Sequence, residues 1–314
     1  MSQTKRRVGV LGIGNVGIAA VSALTHQQLV DEILVYDCDT DRAEGEVLDF
    51  MDGIEVTQTA TQVKLVSLTD LASCDMILVA YTERATALEE DRLMLLEGSA
   101  TIARSVIPKL KEAGFLGKYV IATNPCDIIT YLIWQLSGLP RAYVIGTGTA
   151  LDSMRLRRQL SQQLAGVNPS SIQAFMIGEH GNSQFACFSH VRIGGLALAD
   201  YETLLGQTVE RLALEKKVVY FGFDIFERKG HTQFGIGNVL AAFVQAIYND
   251  AKIITAAAAV LDGEYGVTKM AMGVPVLLGA GGIERIIPLT FDSRETIALD
   301  KTVAVIRANI MKLN

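Results

Sequence analysis

A histidine set between glycines, Gly178-Glu179-His180-Gly181-Asn182, is the side chain in this sequence best placed to move a proton. Imidazole titrates near neutrality, so it gives and takes protons with little driving force. The flanking glycines let a turn present it into a cleft. There are four histidines in all, and neither His26 nor His190 has such a setting. Upstream, Asp152 and Arg155 stand three residues apart and share one helical face. On a surface they would be an ion pair worth little. Next to His180, the carboxylate would orient the imidazole and stabilise its charged form. The guanidinium would then grip a substrate carboxylate through two parallel hydrogen bonds. Whether His180 and Asp152 meet is left open by the sequence.

A second constellation lies at the start of the chain. The apolar run Val8 to Leu11 feeds Gly12-Ile13-Gly14-Asn15-Val16-Gly17, and a helical pattern begins at once with Val16, Ala19, Ala20, Val21 and Leu24. Another apolar run, Ile33 to Tyr36, ends in Asp37. Gly12 permits the tight turn, Gly14 lets backbone approach a pyrophosphate, and Gly17 lets helix pack close on strand. The N–H groups around Asn15 and Val16 at the helix start offer partial positive charge to phosphates. Asp37 suits the ribose hydroxyls of NAD and would repel the extra phosphate of NADP. Glycines alone are weak evidence; strand, glycines, helix, strand and acid at these spacings are strong.

The elements that must hold these groups follow from periodicity. Val63–Val66, Met76–Ala80, Tyr119–Thr123 and Tyr143–Ile145 read as further strands, with helices at 91–112 and 127–136, the latter capped by Asp127. A helix is expected to start within Asp39 to Asp41. This alternation predicts an α/β architecture, a Rossmann-type doubly wound parallel sheet over residues 1–148. Beyond it, a helix at 152–164 is followed by short runs near 172–177, 184–193, 253–260 and 273–278 that look like antiparallel strands. Helices at 201–217, 235–249 and 294–312 surround them. This predicts a second, α+β substrate domain over 149–314.

Composition narrows the function classes. The chain has 314 residues, half of them hydrophobic, and a net charge of −6, which supports large buried cores and argues against a nucleic-acid partner. Cys38, Cys74, Cys126 and Cys187 are far apart with no ligand-like spacing, so reduced thiols in the cytoplasm are expected and no metal site. Lys5-Arg6-Arg7 before an apolar stretch superficially resembles a secretory signal, but that stretch carries the phosphate-turn glycines. No segment reaches the run of apolar residues that a membrane span requires. Asp37-x-Asp39-x-Asp41 resembles a calcium loop only until Arg42 and Leu48, which stand where glycine and glutamate are needed.

The order and approximate spacing of Gly12–Gly17, Asp37, Asp91-Arg92-Leu93, Thr123-Asn124-Pro125, Ile145–Thr149, Leu151-Asp152-x-x-Arg155, Gly178–Gly181, Lys229-Gly230-x-Thr232 and Tyr265-Gly266-Val267 resemble the lactate/malate dehydrogenase family over essentially the whole chain. Within it, the chain is most similar to L-lactate dehydrogenases and L-2-hydroxyisocaproate dehydrogenases. Gly146–Thr149 and Asn182-Ser183-Gln184 resemble the latter more than ordinary lactate enzymes, which usually carry an aspartate at the position of Asn182. The resemblance implies that NADH reduces a 2-oxo acid, with His180 as proton donor and Asp152 as its partner. It implies that Arg155 holds the substrate carboxylate, that Arg92 on a mobile loop polarises the carbonyl, and that Asn124 positions substrate and nicotinamide. Thr232 would line the carboxylate side, and a homotetramer is implied.

Two departures from that family matter. The loop 81–91 looks about two residues longer than in common lactate enzymes. It places Thr86 where malate enzymes put an arginine for the second carboxylate, although Arg84 is close by. Arg157 matches an arginine that binds fructose 1,6-bisphosphate in many bacterial lactate enzymes, but Gln173 replaces the histidine that accompanies it, which argues against activation. The leading expectation is an NAD-dependent L-2-hydroxy acid dehydrogenase. Malate dehydrogenase is the alternative, followed by a catalytically silent NAD-binding protein and an NAD- and metal-dependent glycosidase.

Overall fold

The structure, a computed structural model, describes residues 5–57, 59–82 and 92–313, with the side chain of Arg92 left out. Its first half alternates strand and helix: β1 (Arg7–Leu11), α1 (Asn15–Gln27), β2 (Glu32–Tyr36), α2 (Thr40–Thr57), β3 (Gln62–Leu65), β4 (Met76–Val79), α3 (Leu96–Glu112), β5 (Lys118–Ile121), α4 (Cys126–Ser137) and β6 (Val144–Gly146). All neighbouring pairs among these six strands are parallel. Helices cover both faces of such a sheet, so β1, β4 and β5 can be apolar at nearly every position. Met76 to Val79 are all buried.

The second half starts with α5 (Ala150–Gln163), then β7 (Ile172–Gln173), β8 (Met176–Ile177), β9 (Phe185–Ala186), β10 (Arg192–Ile193) and β11 (Leu196–Ala197). It continues through α6 (Leu198–Leu205), α7 (Arg211–Lys229), α8 (Phe234–Tyr248), β12 (Ile253–Asp262), β13 (Thr268–Gly279), β14 (Gly282–Ile286) and α9 (Ser293–Ile310). Two expected runs split because the chain changes partner inside them. Gln173 pairs with β10, whereas Met176 and Ile177 pair with β9. The helix expected over 201–217 also breaks, at Gly206, whose φ of +63° closes α6 in a left-handed cap. Glu202 then accepts the N–H of Val209 at 2.7 Å and turns the chain toward α7.

β12 and β13 do not form a sheet of their own. They extend the parallel sheet to nine strands in the order β14-β13-β12-β6-β5-β4-β1-β2-β3. The junction is antiparallel and narrow, a single pairing of Ala258 with Gly146. Small residues make it fit: a Cβ on Gly146 would lie 2.7 Å from that of Ala258, and one on Gly148 would lie 2.7 Å from the Ala258 nitrogen. Helix α8 closes over α1, where a Cβ on Gly237 would meet that of Ala19 at 2.6 Å.

Among the described residues, two large buried apolar clusters result, beside a small one of Tyr131, Val260 and Ala271. One large cluster runs through the large sheet and its helices; the other gathers Leu156 and Leu160 of α5 and Leu164 just past its end with Ile172, Met176, Val218 and their neighbours. Ala150, at the start of α5, belongs to the first cluster and Leu156 to the second. Asp152 and Arg155 sit on the helix that crosses between them.

Candidate active site

His180 follows β8 in a turn whose main chain is held from several sides. Gly178 and Gly273 of β13 exchange N–H···O bonds at 2.9 Å. The Glu179 N–H donates to Thr302 Oγ1 of α9 at 2.8 Å, and the His180 N–H donates to Asp127 Oδ2 of α4 at 2.6 Å. Under the turn, the buried Glu179 carboxylate accepts the Ser183 hydroxyl. The side chain of His180 stays 14% exposed, enough for a substrate to reach the ring.

The ring meets Asp152. His180 Nδ1 and Asp152 Oδ2 are 2.5 Å apart, and the other carboxylate oxygen accepts Nη1 of Arg155 at 2.9 Å. Asp152 is fully buried and Arg155 is 7% exposed. One carboxylate thus ties together the imidazole and the guanidinium. Its burial makes the pairing stronger than a surface ion pair, because water screens it less. The guanidinium also stands 5.9 Å from the ring centre of Phe221 on α7. With Nη1 engaged, it keeps donors for a second carboxylate.

Asp127 was expected as a helix cap. Pro125 occupies the cap position instead, and Asp127 lies inside the first turn of α4. Burial, reinforced by the nearby Glu179 and Asp152 charges, pushes its carboxyl up to about 8. An acid within the otherwise apolar or small stretch Cys126 to Ile133 was the available signal, since a buried carboxyl needs a partner. Thr302 and Ser99 were also missed. Ser99 of α3 donates to the main-chain oxygen of Asn124 at 2.6 Å.

Asn124 lies between β5 and α4, half-buried, and its Oδ1 has no hydrogen-bond partner among the described residues. Thr232 is half-buried in the short loop between α7 and α8. Thr86, Arg84 and most of the loop 81–91 lie outside the described residues, as does the Arg92 side chain. Arg157 is largely buried, with Nε lacking a partner among the described residues, and Gln173 is exposed on β7. Among the described residues there is no group of three or more His, Cys, Asp or Glu side chains that could hold a metal ion.

The glycine turn suits a dinucleotide. Gly12 takes φ +99°, and a Cβ there would lie 2.7 Å from the main chain of Tyr81. A Cβ on Gly17 would lie 2.2 Å from the Gly12 carbonyl oxygen, so α1 approaches β1 only because that atom is missing. Gly14 caps α1, and among the described residues no side chain bonds to the cap and nothing lies within 4 Å of where a Gly14 Cβ would be. Asn15 is exposed and Val16 half-buried. An unblocked helix start beside an open glycine is the environment a pyrophosphate needs. Asp37 accepts the Ile13 N–H at 2.9 Å and the Asp39 N–H at 3.0 Å, which fixes its carboxylate against the turn.

Comparison with known proteins finds one family along both halves of the chain. A family model described as lactate/malate dehydrogenase, NAD binding domain, matches residues 6–146, and one described as lactate/malate dehydrogenase, alpha/beta C-terminal domain, matches 149–314. The L-lactate dehydrogenase 2 of Listeria innocua is 37% identical over 309 residues, covering 98% of this chain and 99% of its own. The L-lactate dehydrogenase 3 of Bacillus cereus is 38% identical over 311 residues, covering 98% of each. Among solved structures, the minor L-lactate dehydrogenase of Enterococcus mundtii in its ligands-bound form superposes with a TM-score of 0.93 at 32% identity, over 99% of both chains.

Proposed function

Because the chain belongs to the lactate/malate dehydrogenase family, we propose that it reversibly reduces 2-oxo acids to L-2-hydroxy acids with NADH, as an L-lactate dehydrogenase does. The observation that carries this reading is the His180–Asp152–Arg155 chain of contacts at the seam of the two apolar clusters. NADH, when bound, supplies the hydride. His180 donates a proton to the substrate's carbonyl oxygen and takes it back in the oxidation direction. Asp152 holds the ring and stabilises its charged form, Arg155 binds the substrate carboxylate, and Thr232 lines that side. Asn124, whose buried Oδ1 has no hydrogen-bond partner among the described residues, has room for a polar partner that substrate or nicotinamide would supply. Arg92 polarises the carbonyl. Gly12, Gly14, Asn15, Val16, Gly17 and Asp37 hold the dinucleotide.

The preferred acids are aliphatic, from pyruvate to 4-methyl-2-oxopentanoate, the latter as for L-2-hydroxyisocaproate enzymes. Thr86 leaves no fixed positive charge at its position for a second carboxylate, so oxaloacetate should be a poor substrate. The family matches at 6–146 and 149–314 support a boundary at 148/149 between cofactor and substrate domains. A homotetramer is proposed on the large apolar side chains left exposed on the helices, among them Leu48 and Val56 of α2 and Leu212 of α7. A cytoplasmic location is proposed on four cysteines that are all unpaired. No described helix is long and apolar enough to cross a membrane.

The test is a panel of pyruvate, 2-oxobutyrate, 4-methyl-2-oxopentanoate, phenylpyruvate and oxaloacetate with NADH. Specificity constants for pyruvate and 2-oxobutyrate, one methylene apart, should lie within roughly two orders of magnitude, since a methylene in an apolar pocket is worth about 1–3 kcal/mol, and 4-methyl-2-oxopentanoate should also be turned over. Oxaloacetate should fall well below them. If it is preferred over pyruvate, Arg84 reaches the substrate and the malate reading replaces this one. Replacing Thr86 by Arg should raise relative activity on oxaloacetate.

A further inference from the structure

Three consecutive main-chain N–H groups carry His180 into the site, and each is met by a different element: Gly178 by β13, Glu179 by α9 and His180 by α4. Only the last bond is made by the residue whose ring meets Asp152. Its acceptor is a carboxyl that is 2% exposed, and the remaining oxygen, Oδ1, has no hydrogen-bond partner among the described residues. The neighbouring acids Glu179 and Asp152 both oppose a negative charge there. Charge is therefore costly at this position, while a hydrogen-bond acceptor is useful.

We propose that Asp127 is a positioning residue for proton transfer: Oδ2 holds the His180 main chain so that ring Nδ1 reaches Asp152, and it acts as an acceptor rather than as a charge. His180 is then gripped at both ends, by Asp127 at its main-chain nitrogen and by Asp152 at its ring. With the main chain and the ring each tied to a helix, the imidazole has little freedom to swing away from its partner. A ring displaced by about 1 Å costs on the order of a hundredfold in rate, which sets how much such an anchor can matter.

The inference rests on His180 being the proton donor, and the experiment separates the two. Asp127→Ala, Asp127→Ser, Asp127→Asn and His180→Ala are compared with the wild type for pyruvate reduction across pH, with NADH affinity read by fluorescence. Asp127→Ala removes the acceptor. It should lower kcat roughly ten- to hundredfold, move the fall in activity at alkaline pH down by about one unit as the ring loses its alignment with Asp152, and leave NADH affinity within about twofold. Asp127→Asn keeps an acceptor and removes the charge; it should recover kcat to within about threefold and restore the pH profile. Should the Ala chain not fold, the Ser chain, too short to reach the His180 N–H, is read in its place. An unchanged kcat and pH profile in Asp127→Ala or Asp127→Ser overturns the proposal. An Asn variant as impaired as either of them also overturns it, because charge would then be what matters. An active His180→Ala overturns the reading beneath both.

Discussion

The two working regions of this molecule are built on opposite plans. The glycine turn is made from main chain within one stretch of sequence: Gly12, Gly17, the start of α1 and Asp37 all lie within residues 12–37. What matters there is the absence of side-chain atoms and a helix start that no side chain caps among the described residues. The histidine site is made of side chains drawn from α4, α5, α9 and the turn after β8, with partners up to 123 residues apart in sequence. A main-chain site tolerates many sequences provided a few glycines stay. A side-chain site fails when any one support moves.

The sharpest way to break this comparison is His180→Ala. If the two regions are independent, pyruvate turnover should fall by roughly 10²–10⁴, the usual worth of a general acid, while NADH affinity changes little. Steady-state kinetics and NADH fluorescence measure the two halves. Turnover within tenfold of wild type would remove His180 from the chemistry.

Arg155→Lys is next. It replaces a fork by a point charge, and each lost charge-assisted hydrogen bond is worth about 1.5–3 kcal/mol, so kcat/KM for pyruvate should drop roughly ten- to hundredfold. Because Arg155 also holds Asp152 at 2.9 Å, kcat should fall along with the rise in KM. A change in KM alone would mean that Arg155 does not support Asp152.

On the main-chain side, Gly12→Ala should act on stability and cofactor affinity together. An alanine at φ +99° is strained, and its Cβ would lie 2.7 Å from the backbone of Tyr81, which cannot step aside as a side-chain tip could. A cost of about 2–3 kcal/mol is expected in urea unfolding, with weaker NADH binding. Normal NADH affinity in a destabilised protein would show that the turn's shape is less critical than its N–H groups.

Legibility in the sequence follows the same division. The turn and the six parallel strands were readable because strand, glycine and helix signals are local. The split of the 201–217 helix was not, although Gly206 marked the spot, because apolar spacing continues across it. Nor could periodicity show that β12 and β13 extend the large sheet, since that depends on Gly146 and Gly148 leaving room for Ala258. Asp127 looked like a cap because acids favour helix starts; its link to His180 spans 53 residues and has no local signature. Asp152 and Arg155 were visible as a pair, but their joint contact with His180 was visible only in three dimensions.

Asp37 tests the border of the two plans, a side chain serving a main-chain site. Asp37→Ser should narrow the preference for NADH over NADPH by removing the repulsion of the extra phosphate. The loss of the bond to the Ile13 N–H should also weaken NADH binding by about 1 kcal/mol, several-fold in affinity. The ratio of specificity constants for the two cofactors decides it, and equal constants in the wild type would mean that Asp37 does not read the ribose.

The smallest effect should come from the far end of the same strands. Glu32, at the start of β2, is ringed by Arg7 Nε at 2.6 Å, Lys64 Nζ at 2.9 Å and Lys5 Nζ at 3.0 Å. Its hydrogen bonds to Lys64, Arg7 and Lys5 hold its carboxyl at about 2, below its ordinary 4.5. A carboxyl lowered on folding stabilises the folded state above its unfolded value, and that contribution disappears as pH falls from about 4.5 toward 2. The three cations are each more than a third exposed, so water and salt screen them, and the whole cluster should be worth only about 1 kcal/mol. Urea unfolding of wild type and Glu32→Gln should therefore differ by about that amount at pH 7 and converge near pH 2–3. NADH affinity and kcat should stay as they are, because the cluster lies at the opposite end of β1 from Gly12. A gap between the two proteins that persists undiminished at low pH would show that packing, not charge, is what Glu32 supplies to the cofactor half.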